Sequence, residues 1–198
     1  QQYWQQFVLL MLGVFIAIII AYAVAFLLLV PAISGDSVFL SLIGGAFAFA
    51  LVFVVGLATQ AGIYRAGLAV TRGEAPTVSM FTESTNIGPF LLTILLVGIG
   101  TGILALFCYI PGIIFAFFTV FAPLRALERG EGPVDAIKGS FEMVQTNLGQ
   151  VLLVVLVSYL VYYVGALACG IGLLVTAPIA LIAICWSYRV INGEPIAP

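Results

Sequence analysis

Charge is missing from most of this chain, and the gaps are long. Residues 87–124 form one uncharged run of 38 residues, and residues 148–188 form another of 41. A transmembrane helix needs about 20 mostly apolar residues, so each run exceeds one helix and accommodates two. Only 7% of the 198 residues are charged, while 64% are hydrophobic. Soluble chains carry about 25% charged residues. The 6 Lys+Arg and 8 Asp+Glu could not cover a water-facing surface, so apolar atoms would form the outside of a soluble fold. The expected solvent is lipid.

The runs divide into spans. Phe7 to Val30 reads as a first span closed by Pro31, followed by a short polar turn from Ala32 to Ser37. Val38 to Ile63 is a second span, and a polar block extends from Arg65 to Asn86. Between Ile87 and Leu124 the break is expected at Tyr109-Ile110-Pro111-Gly112, because proline removes a backbone donor and glycine permits a turn. A second polar block covers Arg125 to Asn147, and Cys169-Gly170-Ile171-Gly172 divides the last uncharged run. The expected fold is all-α and integral to the membrane, with six transmembrane helices in three hairpins.

The basic residues orient these hairpins. Arg65 and Arg72 follow the second span, Arg125, Arg129 and Lys138 the fourth, and Arg189 the sixth. The opposite turns hold no Lys or Arg, and Asp36 is their only charge. Basic residues favour the cytoplasmic side, which predicts cytoplasmic N and C termini. The first apolar run is too long for a signal peptide and lacks a basic start and a small-residue cleavage site.

The hairpins end alike. Gly73, Glu74 and Pro76 follow the first, Gly130, Glu131 and Pro133 the second, and Gly193, Glu194 and Pro195 the third. Asn86-Ile87-Gly88 also matches Asn147-Leu148-Gly149, and Cys108 matches Cys169, both at an offset of 61. Such a period indicates a repeated unit. One transmembrane domain over residues 1–198 is expected, with hairpin repeats at about 7–76, 77–133 and 134–195. After Pro133, the residues Val134, Ile137, Phe141, Val144 and Leu148 recur at spacings of four and three, opposite Asp135, Lys138, Glu142 and Gln145. That pattern predicts an amphipathic interfacial helix. After the second span its counterpart is shorter, with Val78 and Phe81 facing lipid. The Gln-rich start, Gln1 to Gln6, reads as the end of a low-complexity tail.

Few residues suggest a site. The arginines are candidate anchors for anionic lipid or a partner; the alternative is that each snorkels at a helix end. Cys108 and Cys169 fall on the expected outer face, where a disulfide could tie two hairpins; buried thiols at helix contacts are the alternative. Gly98 and Gly102 form a GxxxG expected to pack closely, within the chain or on a partner. Tyr159, Tyr162 and Tyr163, with Tyr109 at similar depth, form either an aromatic belt or a stacking surface for a quinone or lipid tail.

Several chemistries are excluded or disfavoured. With no histidine there is no Ser-His-Asp triad, imidazole metal site or histidine-ligated haem. No Asp, Glu, Lys, Arg or His lies midway along a span, where proton relays and coupled transporters need one. A net charge of −2 without a basic tract disfavours nucleic acid. Neither enzyme nor pump nor redox subunit is expected, and no cofactor or metal.

The residues from Ile110 to Asn192 resemble a family of actinobacterial proline- and glycine-rich six-helix integral membrane proteins. The likeness rests on Ile110-Pro111-Gly112, Leu124 to Glu131, Ala136, Ser140, Asn147, and Cys169 to Gly172 through Pro178 to Tyr188-Arg189. It is similar in general type to the association factor of the prokaryotic respiratory supercomplex. The resemblance implies a non-catalytic accessory subunit where cytochrome bc and oxidase modules of an electron transport chain join. Its implied partners are other integral membrane subunits and lipids. A small transporter or lipid-handling protein with a hydrophobic substrate is the alternative.

Overall fold

The computed structural model describes residues 4–34, 38–167 and 172–195, and all of its regular structure there is helical. Two long helices, α1 (Trp4–Ser34) and α2 (Val38–Arg72), form the first hairpin. A 3-10 turn at Val78–Phe81 follows. Next come α3 (Ile87–Phe107), α4 (Tyr109–Phe118), α5 (Ala122–Arg129) and α6 (Pro133–Thr146). The chain closes with α7 (Leu148–Leu167) and α8 (Leu173–Ile191). Among the described residues, five segments are long and apolar enough to cross a membrane: Leu9–Leu27, Leu42–Arg72, Ile87–Phe107, Tyr109–Arg129 and Leu148–Leu167. Val175–Ile191 is a shorter apolar helix. The protein is therefore a helical, membrane-embedded one.

Several boundaries differ from the sequence expectation. The first helix does not close at Pro31 but runs on to Ser34. A single missing donor is tolerated where neighbouring backbone bonds carry the helix through lipid. The second helix passes Ile63 and continues through Tyr64 and Arg65 to Arg72, so the start of the polar block is helical. The third helix breaks at Cys108 (φ −163°, ψ 133°), not at the proline. Pro111 is then the third residue of α4, where backbone donors have no partner within the helix anyway. Gly112 makes this tight return feasible: a Cβ there would lie 2.9 Å from Ala105 Cβ. Residues 35–37 and 168–171, which include Asp36, Cys169 and Gly170, lie outside the described residues.

The amphipathic helix forms, but with a different buried stripe. Ala136, Gly139, Ser140 and Val144 are buried, whereas Val134 and Leu148 are about half exposed. Small residues are chosen because α6 docks into the break between α4 and α5. There the Ser140 hydroxyl donates to the Phe118 carbonyl (2.7 Å) and accepts from the Phe121 amide (3.2 Å). Two backbone groups freed by the break are thus satisfied, as buried polar groups require. Val78 is exposed as expected, but Phe81 packs over Gly62, where a Cβ would overlap its ring.

The core sits toward one end of the bundle. Leu68, Phe121, Leu124, Val144, Val151, Cys185 and Tyr188 form one buried cluster, and Ala61, Phe90 and Leu127 another. These residues lie near the ends of α2, α5 and α8 that carry arginine, here called the charged end.

Candidate functional site

Three helices reach the charged end and close in similar ways. Gly73, Gly130 and Gly193 all have positive φ, at 80°, 65° and 67°. That left-handed conformation is open to glycine at little cost. In the first and third turns the glutamate amide reaches the carbonyl five residues back: Glu74 to Ala69 (2.9 Å) and Glu194 to Arg189 (3.0 Å). In the second, Gly130 donates to Ala126 (3.1 Å). The following proline either starts a helix, as Pro133 does, or lies in irregular chain, as do Pro76 and Pro195.

These closures bring seven charged side chains into one chain of contacts. Arg125 grips Glu131 with two parallel bonds, 2.8 and 2.9 Å. Glu131 also lies 4.0 Å from Arg129, which reaches Glu194 at 3.3 Å. Glu194 binds Arg189 at 2.9 Å. Arg189 lies 3.8 Å from Glu128, and Glu128 also accepts from Arg72. The path runs Arg72, Glu128, Arg189, Glu194, Arg129, Glu131, Arg125, with signs alternating throughout. Its centre is dry, since the Arg189 side chain is 7% exposed and that of Glu128 13%. Bidentate arginine–carboxylate geometry is the strong form of such a pair. Breaking a buried pair also leaves a charge without compensation.

Arg65 behaves differently. Its guanidinium donates to the carbonyls of Met80 (3.1 Å), Glu83 (2.5 Å) and Thr85. It therefore holds the loop between α2 and α3, with the Glu83 carboxylate only marginally close at 4.0 Å. Asn86, in a left-handed conformation before α3, donates to the Leu127 carbonyl (3.1 Å) and ties this loop to α5.

The expected site residues thus separate. Arg72, Arg125, Arg129 and Arg189 meet, together with Glu131 and Glu194. These two glutamates have partners close in sequence, Arg125 for Glu131 and Arg189 for Glu194. Lys138 is exposed on α6, and Glu74 is exposed at its turn; neither makes an ion pair among the described residues. Gly98 and Gly102 do not pack within the described chain, since a Cβ at either meets nothing within 4 Å. Gly100 between them does, lying under Phe115 at 2.9 Å from a built Cβ. Cys108 is exposed, and Cys169 lies outside the described residues. Tyr159, Tyr162 and Tyr163 are exposed; Tyr163 stacks on Tyr159 and meets Tyr162 edge-on.

Two members of the site were not anticipated. Glu128 is the hub between Arg72 and Arg189, and its position three residues after Arg125 on a short polar helix was the available signal. Gly139 is the other: a Cβ there would overlap the Arg125 guanidinium, so glycine lets that side chain lie flat on α6.

Over 144 residues the chain is 35% identical to the uncharacterized protein Rv2560 of Mycobacterium tuberculosis strain H37Rv. It matches the uncharacterized proteins Mb2590 of Mycobacterium bovis and MT2637 of Mycobacterium tuberculosis strain CDC 1551 to the same degree. The alignment takes in 73% of this chain but 44% of each relative, so the chain spans less than half their length. No family model matches it, and no solved structure does.

Proposed function

We propose that the chain is a non-catalytic association subunit of a larger membrane complex in a bacterial inner membrane. A respiratory assembly joining cytochrome bc and oxidase modules is the leading case. The supporting observation is the fate of the charges. Four of the six cations and three glutamates neutralise one another across the ends of three hairpins. They form a brace between helices, and the faces left outside are apolar. In this reading six helices cross the membrane as three related hairpins, with both ends and the brace on the cytoplasmic side. The shorter helix Val175–Ile191 is the sixth span.

The test is purification of the full chain in mild detergent, with mass spectrometry of whatever co-elutes. Stoichiometric recovery with other integral membrane subunits is expected. Elution alone, or only with itself, rejects the reading. A second reading, lipid handling, is favoured by one observation: an apolar groove of about 530 Å³ between the first and second hairpins.

A further inference from the structure

Two hollows lie along one face of α2, one beside the loop that leads into α3 and the other beside α3 itself. The polar one, about 240 Å³, is at the charged end, and its walls include Arg65, Arg72, Glu74, Glu83 and Glu128. The apolar one lies deeper, between Phe53 and Leu57 of α2 and Leu91, Leu95, Gly98 and Ile99 of α3. Helical spacing puts Phe53, Leu57, Ala61, Arg65 and Arg72 on one side of α2. Asn86, the residue before α3, borders the polar hollow, and Leu91, five residues further on, borders the apolar one. The buried pair Ala61 and Phe90 forms the shelf between them.

The charges of the polar hollow do not suit an anion. Arg65 directs its donors to three backbone carbonyls. Arg72 is 39% exposed at its side chain and holds Glu128 through Nη2, which leaves Nε and Nη1 to face a ligand. Against that one donor group stand three carboxylates. Glu74 is exposed and unpaired among the described residues, and Glu83 is 51% exposed with only its 4.0 Å contact. Glu128 has a buried Oε2 that no group satisfies. A bare phosphate or an anionic headgroup would meet these acceptors as like charges. A phosphate carrying a primary ammonium two carbons away meets both signs: the phosphate at Arg72 and the N–H donors at Glu74 and Glu83.

We propose that this face of α2 binds an aminophospholipid of the phosphatidylethanolamine type, its headgroup in the polar hollow and an acyl chain in the groove. The site rests on the membrane-embedded reading above and not on the identity of any protein partner.

The full chain is first tested for pelleting with membranes after alkaline carbonate washing. Release into the soluble fraction overturns the membrane reading itself, and with it this site. The embedded chain then goes into nanodiscs holding equal amounts of phosphatidylethanolamine, phosphatidylcholine and phosphatidylglycerol. Native mass spectrometry reads the lipid retained on partial delipidation. Phosphatidylethanolamine should be retained about fivefold over the other two, the net effect of roughly one hydrogen bond. The double variant Glu74→Gln, Glu83→Gln, at exposed positions, should bring that ratio near parity. Leu95→Trp, which fills the groove, should lower retention of all three lipids together. Equal retention by the unaltered chain, a preference for phosphatidylglycerol, or an unchanged ratio in the double variant overturns the proposal.

Discussion

Arg65 and Arg125 occupy similar places before a Gly-Glu turn, yet one clamps backbone and the other clamps a carboxylate. The difference is a matter of helix length. After Arg125, α5 ends within four residues, so the chain folds back and Glu131 reaches the guanidinium. Arg189 is closer still to the end of α8, and Glu194 reaches it in the same way. After Arg65, α2 continues for seven residues, and Glu74 is carried about 13 Å along the axis. Arg72, at the end of α2, joins the ionic chain instead. A shared motif therefore sets the turn, and the distance from arginine to helix end decides what the arginine holds.

The comparison can be broken most severely at Arg189. Arg189→Met removes the cation between two carboxylates and leaves Glu128 buried beside Arg72 alone. A loss of about 3 kcal/mol is expected in denaturant unfolding from detergent micelles. A loss below about 1 kcal/mol, the range of a surface pair, would mean that the network does not brace the bundle. Next comes Gly139→Ala, which pushes the Arg125 guanidinium off α6; about 2 kcal/mol of destabilisation is expected from overpacking and the weakened bidentate pair. If Arg125→Lys and the double variant with Gly139→Ala lose no more than Gly139→Ala alone, the two changes act through one contact.

Arg65→Ala sharpens the contrast, because it should act locally. Faster amide exchange is expected in residues 78–86, with about 1 kcal/mol lost globally. Unfolding as deep as that of the Arg189 variant would place Arg65 in the brace after all. Alanine at Gly73 or Gly193 should cost about 1 kcal/mol each through the left-handed backbone. Glu74→Gln is the smallest change, expected within about 0.5 kcal/mol for an exposed side chain.

Much of this architecture was legible in the sequence. Uncharged runs mark apolar helices because lipid permits little else, and Gly-Glu pairs mark left-handed closures because few residues other than glycine accept them. Helix ends were harder. Ile63 looked like a boundary because Arg65 is polar, but an arginine whose head finds carbonyls can remain on a helix. Pro111 looked like the break, but a proline in the first turn begins a helix as readily as it stops one. Glycines were the least legible. Gly98, Gly100 and Gly102 are alike in sequence, and only the placement of Phe115 distinguishes the packed one from the open pair. Glu128 was hidden because its two partners lie 56 and 61 residues away, on different helices.

The position of Glu128 has a bearing on biogenesis. It belongs to the second hairpin, while Arg72 comes from the first and Arg189 from the third. Arg72 and Glu128 are made before Arg189, so this carboxylate can meet one cation early and the other only once α8 is present. Until then its pair with Arg72 stands without the Arg189 contact that links it to Glu194. A chain stopped after residue 167 would be caught in that state. The ionic contacts thus act as a late fastening, complete only once α8 has been made.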